Sequence, residues 1–151
     1  MEENDRFGLG VFVCFFNKDY SKTLLLFRNA EKRARWGADW GNVGGVVELG
    51  ETTVQAAIRE VIEEIGINLK PSDLSLIYIK ETLNFIPHIQ AVHFVYTTTM
   101  DESRKIKLNS ESDRYEWFEV SNLPERMLDS KKDMLMWRDL AKSGRKIAQN
   151  K

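Results

Sequence analysis

The segment Gly45 to Ile67 reads Gly45-x5-Glu51-x7-Arg59-Glu60-Val61-x-Glu63-Glu64-x-Gly66-Ile67, and it constrains the chain more than any other. Thr53 to Ile65 is expected to be helical. A step of about 100° per residue then puts Glu60, Glu63 and Glu64, at i, i+3 and i+4, on one narrow face. Val54, Ala57, Ile58, Val61, Ile62 and Ile65 fall on the opposite stripe, so the helix is expected to bury one side and present a strongly anionic other side. Between Glu51 and Leu69 there is no Lys, and Arg59 is the sole cation. An ordinary solvated helix alternates its charges, because like charges one turn apart repel. Carboxylates crowded in this way suit a divalent cation, and hard oxygen donors select Mg²⁺, Mn²⁺ or Ca²⁺ over metals that prefer softer sites. The residues therefore point to a metal site.

The same run fits every specified position of the Nudix box, and on those residues the chain resembles the Nudix (MutT-like) hydrolases. Nine defined positions at fixed spacing set this signature apart from a lone glycine motif. The likeness extends to Leu24-Leu25-Leu26-Phe27-Arg28, a strand ending in Arg, and to Trp40-Gly41-Asn42-Val43-Gly44-Gly45, where Val43 stands in place of the usual Pro. Downstream, Glu111 to Leu123 is similar to the late strand of the family and its turn. The resemblance implies an α/β fold of the α+β type, an α/β/α sandwich with a mixed β-sheet, in a single domain over residues 1–151.

It also implies metal-dependent hydrolysis, by water attack at phosphorus, of a nucleoside diphosphate linked to another moiety. A diphosphate bridge is anionic and resists nucleophiles, so the site needs cations to cancel charge and to acidify a water. By resemblance, Glu60, Glu63 and Glu64 are the Mg²⁺ or Mn²⁺ ligands, joined by the backbone carbonyl of Gly44 and by Glu111, with Glu116 as the rival of Glu111. Glu60 is the first candidate for general base. Arg59 is expected to orient the site through a forked ion pair with Glu51. Gly45 is expected to allow close approach of the loop. For substrate binding, Arg28, Arg33 and Arg35 are the candidates to meet phosphates, Trp36, Trp40 or Phe85 to stack on a base, and His88 to contact the substrate from a turn. His93 lies inside a strand pattern and reads as structural.

Composition sets the outer limits. The 151 residues, 42% hydrophobic and 30% charged, suit one globular domain. A net charge of -1 gives no global attraction to nucleic acid polymers or anionic membranes. The partner expected is a small nucleotide-derived substrate, with a homodimer open. The lone Cys14 lies in an apolar run and reads as core. No signal-peptide or spanning pattern follows the polar N-terminus, so the expected location is cytoplasmic.

Along the chain, Gly8 to Phe16 and Thr23 to Arg28 are predicted strands, and Asn29 to Gly41 a loop. Thr52 or Thr53 is the predicted cap of the box helix and Gly66 its left-handed end. Leu74 to Phe85, Ile89 to Met100 and Tyr115 to Val120 are predicted strands, Asp101 to Asp113 is polar, and Ser130 to Lys146 is a final amphipathic helix capped by Ser130. Two function classes stand: a metal-dependent pyrophosphohydrolase, and a non-catalytic Nudix-fold module that senses a nucleotide. A helical Ca²⁺-loop module lacks its Asp-rich loop here. Among substrates, 8-oxo-dGTP, other (d)NTPs, ADP-ribose, dinucleoside polyphosphates and nucleotide sugars stay open, with (d)NTPs and nucleotide sugars favoured by the compact chain.

Overall fold

The computed structural model describes residues 3–149. The first strand, β1 (Arg6–Phe16), carries the run Val11 to Phe16 with both of its faces covered, which is why it reads as continuously apolar rather than alternating. It runs parallel to β6 (Ile89–Thr99) from the Arg6–Ile89 pair to the Phe16–Thr99 pair. Antiparallel partners complete a mixed sheet. β2 (Lys22–Arg28) leaves β1 through a turn, β3 (Trp40–Gly41) pairs with β2, and β4 (Val43–Val46) pairs with β1. β5 (Ser75–Ile86) flanks β6, β7 (Ser112–Glu119) flanks β2, and β8 (Ala148–Gln149) touches the start of β5.

Helices cover both sides, as the expected layered architecture requires. Alternation along β1 sends Val11, Val13 and Phe15 into one core with Ala57, Val61 and Ile65 of α2 (Thr53–Ile65). Phe12, Cys14 and Phe16 enter a second core with Met134 and Trp137 of α3 (Lys131–Ser143). Cys14 is fully buried, as read from sequence. Both helices begin at the caps expected of them, and α2 also ends at its expected glycine. Thr52 caps α2 in a reciprocal box with Gln55, and Gly66 ends it at φ 70. Ser130 caps α3, which stops at Gly144 (φ 73), short of the expected Lys146. No helix among the described residues is long and apolar enough to cross a membrane.

Two local expectations are corrected. Asn29 to Gly41 is not a loop throughout, because Ala30–Trp36 forms a short helix, α1. Asn29 accepts from the Lys32 N–H at 2.9 Å and Gly37 closes the turn at φ 67, bracketing residues of good helix propensity. The second correction concerns α2. Ile62, expected on the buried stripe, is 44% exposed, and of the three acids on the anionic face Glu60 and Glu64 are buried at 8% and 1% while Glu63 opens to solvent.

Candidate active site

The site is built where α2 crosses the glycine pair of β4. Gly44 and Gly45 pair with Phe12 and Val11 of β1, so this stretch joins the sheet as a short strand beside its central strand. A Cβ on Gly45 would drive into the Glu60 carboxylate, and one on Gly44 would meet the Val11 carbonyl and the Phe12 ring. Only glycine lets the helix acids come this close. The Gly44 N–H donates to Glu64 Oε2 at 3.0 Å, so this glycine contributes its amide to the acid cluster.

Two arginines divide the acids between them. Arg59 sets a fork on Glu51, with Nη2 at 2.7 Å from Oε1 and Nε at 3.1 Å from Oε2, and its Nη2 also donates to the Val46 carbonyl at 2.9 Å. These bonds tie the loop that carries Glu51 to the helix, the arrangement expected for Arg59. Its Nη1 reaches Glu60 at 2.7 Å and Glu63 at 3.4 Å. Glu63 is exposed on the same face. Glu64 instead meets Arg28, whose Nη1 stands 2.6 Å from Oε1.

Electrostatics follow from burial. Loss of solvent pushes the Glu64 and Glu60 carboxyls above the usual carboxylate range, against the pull of Arg28 and Arg59 respectively, and each acid is felt by the others. Glu51 is held below that range, chiefly by its hydrogen bonds from Arg59. The guanidinium of Arg59 is stabilised in return by Glu51 and Glu60.

Among the described residues no three His, Cys, Asp or Glu side chains already converge as a metal cage. The donor set nevertheless fits a hard dication. It consists of carboxylates one turn apart, two of them buried and penalised by that burial, around a backbone approach that no Cβ obstructs.

The remaining sequence-predicted residues divide. Glu111 lies beside α1, taking the Lys32 ammonium at 2.6 Å and an Asn109 amide at 2.8 Å. Burial would raise its carboxyl, and these partners more than offset that. Glu116 is exposed on β7. Arg28 is 2% exposed and committed to Glu64, which corrects its reading as a phosphate contact. Trp40 is corrected likewise: it is buried, with Phe27 and Phe118 ring centroids at 5.0 and 4.8 Å, and β3 pairing fixes it there. Arg33 donates to the Arg28 carbonyl at 2.8 Å and to Asp113 at 3.2 Å, while Arg35 is exposed on α1. Trp36 is half-buried with Lys32 over its ring. Phe85 is half-buried against His93 at 4.6 Å. His88 sits in the β5–β6 turn at φ 68, its Nδ1 2.9 Å from Asp5.

Sequence reading missed a second polar cluster on the α3 side. Asn42 donates to buried Asp129 at 3.1 Å, and Lys80 pairs with Asp129 at 3.4 Å and Asp133 at 2.9 Å. His93, read as structural, stacks on Phe12 at 4.2 Å beside this cluster.

The NUDIX domain family model matches residues 6–138. The chain belongs to the NUDIX family. Among curated relatives, an ADP-ribose pyrophosphatase of Methanocaldococcus jannaschii is 29% identical over 99 residues, covering 64% of this chain and 57% of the relative. A dihydroneopterin triphosphate diphosphatase of Escherichia coli is 35% identical over 77 residues, 51% of this chain and 48% of the relative. The NUDIX chain thus spans about half the length of these curated relatives. A MutT NUDIX hydrolase structure from Burkholderia pseudomallei superposes with a TM-score of 0.71 at 21% identity, over 87% of this chain and 98% of that one, a likeness of fold.

Proposed function

We propose that this NUDIX domain is a Mg²⁺- or Mn²⁺-dependent pyrophosphohydrolase that cleaves a nucleoside diphosphate linked to another moiety, with a (d)NTP or a nucleotide sugar as the favoured substrate class. One observation carries the reading: Glu60 and Glu64 are buried one helical turn apart, both raised by burial, with Glu63 exposed beside them on the same face. Two such acids in a merely structural role are costly to bury, whereas a dication-binding site needs them.

Glu60, Glu63 and Glu64 would hold the metal, with the Gly44 carbonyl and Glu111 as the further donors that the family resemblance suggests. When bound, the dication neutralises the diphosphate and acidifies a water. Arg59 fixes Glu51 and the Val46 carbonyl, so the loop cannot drift from the helix. Glu60 takes the proton from water, its basicity raised by burial. The water oxygen bonds to phosphorus, the anhydride P–O bond breaks, and its electron pair leaves on the departing phosphate. Names borne by the relatives, one a pyrophosphatase and one a diphosphatase, support the same reaction class.

A panel of (d)NTPs, ADP-ribose, dinucleoside polyphosphates and nucleotide sugars, with phosphate and pyrophosphate detected separately, tests the reading. The expected result is a nucleoside monophosphate plus pyrophosphate or a phosphorylated second product, released only with Mg²⁺ or Mn²⁺. A nucleotide that raises the melting temperature yet survives prolonged incubation with metal would favour the non-catalytic sensing module instead.

A further inference from the structure

Arg28 ends β2 inside the molecule, at the junction of four segments. Its Nη1 stands 2.6 Å from Glu64 Oε1 and donates to Ser112 Oγ at 2.8 Å, while its Nη2 donates to the Asn42 carbonyl at 3.1 Å. Glu64 in turn accepts the Gly44 N–H on its other oxygen. Glu64 is therefore held at both oxygens, Oε2 by a hydrogen bond from β4 and Oε1 by the charge of Arg28 in β2. The Arg28 contact lacks hydrogen-bond geometry and leaves Arg28 Nε unpartnered among the described residues, while the guanidinium is itself fixed by β7 and by the residue just before β4. Glu63 offers the contrast: it is exposed, and among the described residues its hydrogen-bond partner is Arg59 at 3.4 Å. A carboxylate left with free torsions loses entropy on ordering around a ligand, and a pinned one does not.

We infer that Arg28 is a positioning residue: it holds the Glu64 carboxylate in the orientation used for metal ligation, and it acts through Glu64 rather than on substrate phosphate. This role rests on the hydrolase reading above. Burial keeps the guanidinium from reaching a phosphate, and its planar fork spans Glu64, Ser112 and Asn42 at once. A lysine ammonium at this position keeps the charge but cannot reproduce the fork. The Ser112 hydroxyl, buried at the start of β7, supports the arginine from behind.

The test uses free Mn²⁺ measured by electron paramagnetic resonance on the nucleotide-free protein, with wild type, Arg28→Lys and Ser112→Ala. Steady-state kinetics at saturating Mn²⁺ on whichever panel substrate is cleaved, and melting temperatures, complete it. Arg28→Lys is expected to weaken Mn²⁺ binding by roughly 10- to 100-fold and to lower kcat, with KM within about threefold of wild type. Ser112→Ala is expected to move Mn²⁺ affinity and kcat the same way by less. Unchanged Mn²⁺ affinity in folded Arg28→Lys overturns the role, as does a raised KM with kcat intact, the mark of a phosphate clamp. Where Arg28→Lys fails to fold, Ser112→Ala decides on the same criteria. A wild type that takes up no Mn²⁺ and cleaves nothing sinks the hydrolase reading and this role with it, whereas a binding wild type with unaltered variants sinks only the role of Arg28.

Discussion

Two clusters of buried charge lie on opposite sides of the sheet, and they answer the same cost of burial differently. On the α2 side, Glu60 and Glu64 come from one helix, stand one turn apart and are matched by Arg59 and Arg28 from different elements. On the α3 side, Asp129 is gathered with Lys80 and Asn42 from distant segments and with Asp133 from the first turn of α3, beside Met134 and Trp137. Burial raises the acids in both places. The first cluster, however, continues outward through Glu63 and the loop acids Glu48 and Glu51, so its acids face a solvent-accessible side. The second closes around Asp129, which is 4% exposed, with Lys80 and Asp133 only partly open at its edge. The open rim of the first suits it to the proposed chemistry, and the buried centre of the second suits it to stability.

The largest effect should separate the two at once. Glu64→Gln or Glu63→Gln is expected to lower kcat by about 10³-fold or more, roughly 4 kcal/mol of barrier, in a protein that still unfolds cooperatively. Near wild-type turnover would take these acids out of the mechanism. Asp129→Ala should instead cost about 1 to 3 kcal/mol of stability in urea titration, since it takes the acceptor from the buried Asn42 amide and leaves Lys80 with Asp133 as its remaining acid. A loss under 1 kcal/mol would deny the closed cluster its structural role.

A pH titration sharpens the same contrast. Burial, helped by Lys80, lowers His93 from 6.5 to about 4. Between those values the unfolded chain binds more protons. The stabilisation from the neutral ring is therefore complete above about pH 6.5 and disappears as pH falls toward 4, and at about 1.4 kcal/mol per unit it amounts to some 3 kcal/mol. His93→Phe should flatten that segment of the stability profile, and an unchanged slope would place its origin elsewhere. The smallest effect is expected at Lys32→Met: its partly exposed pair with Glu111 should be worth about 0 to 1 kcal/mol. A larger loss of stability would mean that this pair anchors α1 more than its exposure suggests.

How much of this was legible in the sequence depended on whether the information was local. The limits of α2 were readable because Thr52, Gln55 and Gly66 are cap signals within a few residues of the helix. That its acids turn inward was not, because the i, i+3, i+4 spacing is the same for a solvated ridge; the Gly44–Gly45 strand against β1 is what brings them under cover. Arg28 left a trace that went unread. Leu24, Leu26 and Arg28 alternate along β2 onto one face, so position 28 extends an inward-pointing row. Its polarity suggested a ligand contact, and only its distance from Glu64 reveals an ion pair. Trp40 resembled a loop aromatic until β3 pairing fixed it in the core. α1 was masked by its three cations, although Asn29 and Gly37 bracket it as caps do. Nothing local links Lys80 to Asp129, 49 residues away.

Isothermal titration calorimetry of Mg²⁺ into the wild type and into a Glu60→Gln, Glu64→Gln double variant addresses the central claim most directly. Saturable binding heat in the wild type, abolished in a double variant that remains folded, is the predicted outcome. No uptake by the wild type, or undiminished uptake by the variant, would contradict the assignment of these two buried glutamates to a metal-dependent hydrolytic centre.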